Sequence, residues 1–185
     1  VHGDEFEPMV AVRRLIAEWP RDATRGQVTL IPIVNEAAFR RGRRTADDEL
    51  DLARTCPGAT TGSVTERTAA ALARHIRPAD FFIDLPTAGV LYDIWPLAGY
   101  MLHEDDAVRA RQREMAQAFN LPVVWGTSAR LDGRSLSVAR DAGVPAIYAE
   151  HGGGCGCRAA AVEDYVAGCL NVAAAVGVLD REPPP

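Results

Sequence analysis

Apolar residues at Met9, Val10, Val12, Leu15, Ile16 and Trp19 recur at helical intervals, so the segment from about Glu5 to Trp19 reads as an amphipathic helix. The rhythm then changes. Val28–Val34 (VTLIPIV) is apolar and mostly β-branched at nearly every position, which predicts a strand buried on both faces. A polar stretch follows from Asn35 through Gly58, long for a connection inside a compact domain, with five arginines and one aromatic anchor, Phe39. Connections of that length tend to be functional. Ser63 or Thr65 is placed to cap a helix that runs to Ile76 and is stopped by Pro78, and Asp80–Leu85 (DFFIDL) forms the next strand.

Beyond that point Ala98–Leu102 reads as a short strand, Glu104–Phe119 as a charged surface helix with acidic residues in its first turn, and Val123–Trp125 as another strand. Leu136–Asp141 is a short helix turned by Gly143, Ala146–Ala149 a buried strand ending at Glu150, and Ala159–Leu179 an apolar helix. Strands alternating with helices predict an α/β fold, a mixed and largely parallel central sheet with helices on both faces, where ligands gather beyond the strand ends. His2, Asn35, Asp84 and Glu150 all fall at such ends. Residues 1–180 are expected to form one domain and 181–185 a tail. The polar start at His2-Gly3-Asp4-Glu5 stands where a strand should just have ended, so an upstream strand is expected to be missing.

Composition narrows the function classes. The 185 residues are 48% hydrophobic and 24% charged with a formal net charge of −5, an ordinary globular balance that argues against a nucleic-acid partner. No apolar run approaches the roughly 20 residues that cross a bilayer, so no membrane partner is expected. Four cysteines (Cys56, Cys155, Cys157 and Cys169) without a secretory signal favour free thiols and a cytoplasmic setting. Cys155 and Cys157 admit a soft-metal or redox pair, but a glycine-rich loop carrying two incidental thiols is the simpler reading.

The spacing of His2 and Glu5 lets an imidazole and a carboxylate converge on one cation from a single turn, a mixture that zinc accepts. The sequence His2-Gly3-Asp4-Glu5 after an apolar residue resembles the metal motif of the succinylglutamate desuccinylase and aspartoacylase family, within the zinc carboxypeptidase-like (M14-type) hydrolases. Other blocks resemble the family's in the same order. Asn35-Glu36-Ala37-Ala38-Phe39 with Arg44 is similar to its N-x-x-A-F stretch and following arginine, and Asp51-Leu52-Ala53-Arg54-Thr55-Cys56-Pro57-Gly58 to its D-L-N-R-x-F-P-G box. Ile83-Asp84-Leu85-Pro86-Thr87 occupies the place of its D-L-H motif, and Ser137-Val138-Ala139-Arg140 with Glu150 resembles its late arginine and glutamate. The family's C-terminal β-rich domain has no counterpart in these residues.

The resemblance implies a zinc-carboxypeptidase-like fold and a zinc-dependent deacylase that cleaves the amide of an N-acyl amino acid, or a related amide or ester bond. His2 and Glu5 would hold zinc, and Glu150 would be the general base. Asn35, Arg44 and Arg54 would bind a small carboxylate substrate, and Arg140 would face the oxyanion or a second carboxylate. By their own chemistry these residues admit blander roles: Glu150 as a strand-end carboxylate paired with an arginine, Asn35 as a residue bonded to its own backbone, the arginines as a solvated face or a dock for an acidic protein.

Three positions depart from the pattern. Pro86 stands where the family has its third metal ligand, a histidine, and its side chain has no lone pair. Two protein ligands hold zinc far less tightly than three, so a second reading is an impaired relative that binds a small carboxylate without zinc. Asp84, His103 and His151 are the residues that would have to replace the missing donor. Ala53 and Cys56 stand where the box has asparagine and an aromatic residue, so the acyl group is not predicted.

Overall fold

A computed structural model describes residues 1–182. Four strands, β1 (Phe82–Asp84), β2 (Asp93–Met101), β3 (Val123–Thr127) and β4 (Ala146–Gly153), form one sheet in the order β1-β4-β2-β3. β1 pairs with β4 and β2 with β3 in parallel, whereas β2 and β4 run antiparallel, so the sheet is mixed and largely parallel, as expected. Side chains alternate across a strand, and that alternation divides the interior in two. Ala98 and Tyr100 of β2 with Ile147 and Ala149 of β4 join residues of α1 (Phe6–Glu18), α5 (Asp106–Phe119) and α7 (Ala159–Ala175) in one core. Met101 and Ala146 join α4 (Val64–Ile76) and α6 (Ser135–Asp141) in the other. The two clusters lie on opposite faces, with helices on both.

Local signals explain most of the element ends. Ser63 accepts from the Glu66 amide while Glu66 returns a bond to the Ser63 amide, the reciprocal cap that starts α4. The Asp105 side chain caps α5. α7 stops at Ala175, short of the expected Leu179. Among the described residues no helix is long and apolar enough to cross a membrane. Of the expected tail, Pro183–Pro185 lies outside the described residues.

Two expectations need correction. Val28–Val34 is not a strand: among the described residues it joins no ladder, and none of its side chains is fully buried. Pro32 in its middle lacks the N–H that a ladder requires. Leu30 still packs into the first core and Ile31 and Val34 into the second, so the β-branched pattern reported burial correctly and pairing wrongly. The polar segment 35–58, in turn, is not a bare loop. It carries α2 (Glu36–Arg41), capped by Asn35 and ended by Gly42 in the left-handed conformation, and the single turn α3 (Leu52–Thr55), capped by Asp51.

Candidate active site

The residues leading into α1 are buried against the start of α2. Gly3 packs so closely there that a Cβ would lie 2.2 Å from the Ala38 carbonyl carbon, which leaves glycine as the one residue that fits. This seats His2, 5% exposed, and Glu5, 1% exposed, in the interior. His2 Nδ1 lies 2.7 Å from Glu5 Oε1, and His2 Nε2 lies 2.9 Å from Asp51 Oδ1. Burial disfavours a charge on His2, but its bonds to Asp51 and Glu5 outweigh this and raise its pKa. Arg44 donates to the other Asp51 oxygen through Nε and a terminal nitrogen at 3.2 and 2.9 Å. The bond from His2, reinforced by Arg44, holds the Asp51 carboxyl well below the usual range.

A second group gathers where β1 ends. β1 stops at Asp84, opposite Tyr148, whereas β4 continues to Gly153. Glu150 therefore sits inside β4, paired with Leu97 of β2, on the face that Tyr148 shares and past the end of β1. The expectation of a strand ending at Glu150 is corrected accordingly. Burial, together with the like charges of Glu5 and Asp84, pushes the Glu150 carboxyl up to about 7, against the pull of Arg134 and His2. Ser135, the first residue of α6, donates its hydroxyl to Asp84. The Tyr148 ring lies across Gly99, where a Cβ would come within 2.3 Å of it.

The arginines sort differently from their sequence spacing. Arg140 is committed elsewhere: its guanidinium binds Asp141 at 2.7 Å, Asp132 at 2.8 Å and the Ala129 carbonyl at 2.5 Å. The cation that bears on both Glu150 and Tyr148 is Arg134, at the opposite end of α6. Its loop is packed onto α3 at Gly133, whose Cβ position lies 2.5 Å from the Arg54 carbonyl oxygen, and Cys56 N donates to the Gly133 carbonyl at 2.9 Å. Arg54 is exposed beside that contact and bonds the Ala53 carbonyl at 2.7 Å. Asn35 spends its side-chain oxygen on capping α2, and its buried Nδ2 has no partner among the described residues. Sequence reasoning missed Arg134 and gave Asp51 no role of its own; the glycine before Arg134 and the helix-cap position of Asp51 were the signals available.

Zinc does not fit this donor set. His2 and Glu5 converge, and Asp51 stands behind His2 as a partner of a ligating imidazole would. The third position is Pro86, and its carbonyl accepts the Tyr165 hydroxyl at 2.7 Å. Each of the three possible substitutes has other contacts. His103 is bonded to the Arg140 carbonyl at 3.1 Å and to the Asp105 amide at 3.0 Å. His151 Nδ1 lies 2.9 Å from an Asp164 oxygen, close but without hydrogen-bond geometry, and Asp84 takes the Ser135 hydroxyl. Among the described residues no group of three or more His, Cys, Asp or Glu side chains is arranged to hold a metal ion. Cys155 and Cys157 are exposed free thiols.

Comparison with known proteins gives a consistent neighbourhood. Residues 1–176 match the family described as the succinylglutamate desuccinylase/aspartoacylase catalytic domain. The N-alpha-acetyl-L-2,4-diaminobutyric acid deacetylase of Halomonas elongata is 36% identical over 123 residues, 65% of this chain and 36% of that protein. Among solved structures, the product-bound ectoine utilization protein EutE (DoeB) of Ruegeria pomeroyi superposes with a TM-score of 0.92 at 31% identity, over 99% of this chain and 57% of that one. A succinylglutamate desuccinylase from Silicibacter sp. TM1040 superposes with a TM-score of 0.91 at 29% identity, over 99% of this chain and 56% of that one. The chain thus spans little more than half the length of these solved relatives and about a third of the curated one.

Proposed function

The chain belongs to the succinylglutamate desuccinylase/aspartoacylase catalytic-domain family, and from that premise we propose that it hydrolyses the amide of a small N-acyl amino acid, or a related amide or ester bond. The observation that carries this reading is Glu150, a carboxylate raised to about 7 by burial and by Glu5 and Asp84. A group with that pKa accepts a proton at neutral pH and gives it back, which is what amide hydrolysis asks of one residue. Arg44 and Arg54 offer forked donors to the substrate carboxylate, and the unpartnered Nδ2 of Asn35 is a further donor for it. In this reading Arg134, rather than Arg140, faces the charge that develops on the acyl oxygen.

The steps then run on the chain's own groups. Glu150 takes a proton from water as the water oxygen bonds to the acyl carbon, and the carbonyl electron pair moves onto the oxygen that faces Arg134. The C=O bond re-forms, the C–N bond breaks, and Glu150 returns its proton to the departing amine; the remaining proton of the new carboxylic acid passes to that amine, leaving a carboxylate and an amino acid with a protonated amine. The zinc-dependent form of this reaction, which the resemblance implies, needs a third donor that Pro86 does not supply.

That same residue favours a second reading, in which the chain binds the carboxylate ligand without turning it over. A panel of N-acetyl and N-succinyl amino acids, with N-acetyl-2,4-diaminobutyrate among them, separates the two when amine release and calorimetric binding are both measured. Amine release that disappears in Glu150→Gln supports hydrolysis. Saturable binding that Arg54→Ala weakens, with no amine released, supports the second reading, and neither binding nor release for any member of the panel overturns both.

A further inference from the structure

We infer that, with Pro86 in the third donor position, the metal-donor end of this site is a hydrogen-bonded cross-link, so that the chain takes up no zinc at His2 and Glu5. The inference rests on the deacylase-type reading only in taking these two residues as the family's donor positions. A zinc held by protein takes at least three side-chain ligands, with a fourth position for water at a catalytic site. Here the third position carries a ring with no donor atom, and its backbone oxygen is already bound by Tyr165, whose hydroxyl also accepts from the His151 amide at 2.8 Å. Pro86 is thereby tied to β4 and has no freedom to recruit a neighbour.

The two remaining donors are engaged with each other. Glu5 Oε1 stands 2.7 Å from His2 Nδ1, the nitrogen that a metal would need, and Asp51 Oδ1 stands 2.9 Å from Nε2. With Arg44 on the far oxygen of Asp51 at 2.9 Å, Glu5, His2, Asp51 and Arg44 form one continuous hydrogen-bonded chain from the buried start of α1 to the segment ahead of α3. A zinc ion would have to break the Glu5–His2 contact and would gain two ligands in exchange. The same two side chains that would grip a metal in a three-donor site here join two parts of the fold.

The test uses the whole chain, its Pro86→His variant and its His2→Ala variant, each equilibrated with zinc chloride, desalted and analysed for metal, with cobalt(II) absorption and thermal melting as independent readouts. The expected result is no retained zinc and no tetrahedral cobalt spectrum in the native chain, and about one metal per chain in Pro86→His. Melting of the native chain is expected to be unmoved by a chelator, and His2→Ala to lower it equally with and without one. A native chain that keeps about one zinc, lost in His2→Ala, overturns the inference. So does a Pro86→His protein that is folded by circular dichroism yet takes up no metal. If that variant does not fold, the native chain and His2→Ala still decide, because a melting loss abolished by chelator overturns the cross-link. Amine release is scored separately, so failure here is distinct from failure of the hydrolase reading.

Discussion

The two charged groups of the candidate site are built from the same residue types and behave in opposite ways. Around His2 every charge has an opposite partner in direct contact: Glu5 and Asp51 on the imidazole, Arg44 on Asp51. Asp51 is accordingly held far down and His2 is raised. Around Glu150 the neighbours that matter most are burial and two more carboxylates, Glu5 and Asp84, with Arg134 compensating only in part, and the carboxyl rises to about 7. Pairing yields a structural tie, in which Asp51 is held as a carboxylate and His2 takes up a proton more readily than a free imidazole. Crowding yields a group that titrates at neutral pH, which is what a general base must do.

The largest expected effect breaks the second group. Glu150→Gln should lower amine release by roughly 10²–10⁴-fold, and in the native chain the rate should climb as pH rises through about 7, where the base form appears. A variant with an unchanged rate would remove Glu150 from the chemistry. Next, Arg134→Ala should cost roughly 10²–10³-fold in kcat while Arg140→Ala costs less than about tenfold, since only the first bears on Glu150. The reverse order in steady-state kinetics would restore Arg140 to the role that the resemblance implies.

On the paired group, Asp51→Asn should destabilise the fold by about 1–3 kcal/mol in urea unfolding, because a half-buried charge-assisted bond to His2 and one to Arg44 are lost together. A loss indistinguishable from zero would mean that the network is ornamental. The crowded group should respond with the other sign. A Glu150 raised to about 7 in the fold, against roughly 4.3 when unfolded, leaves stability intact below the unfolded value and removes it as pH rises through the folded one. Glu150→Gln should therefore be more stable than the native chain by up to about 3–4 kcal/mol at pH 8 and equal to it near pH 4. Equal melting curves at pH 8 would show that Glu150 is not crowded.

Much of the fold was legible because periodicity and caps act locally. The Ser63–Glu66 cap and the apolar spacing of α1 and α4 need no distant partner to be recognised. Val28–Val34 marks the limit: its side chains are apolar for reasons of burial, while strand identity depends on a neighbouring backbone, and Pro32 is the local clue against it. Of the candidate site, Glu150, His2 and Glu5 were named from their motif positions, and Arg140 from the resemblance of Ser137–Arg140 to the family's late arginine; Arg134 was not named. Those two arginines lie at opposite ends of α6, Arg134 at its extended N-cap and Arg140 in its last turn.

By itself, the sequence determined most of the helices, the four strands of the sheet and the family, since each follows from residue identity or short-range pattern. The tertiary structure alone decided which charges meet. β4 outruns β1, so Glu150 is crowded by Asp84 and Glu5; Gly133 seats the Arg134 loop on α3; and Asp51 reaches His2 from 49 residues away. Electrostatic interaction falls with distance and grows with burial, and neither quantity is written in the order of residues.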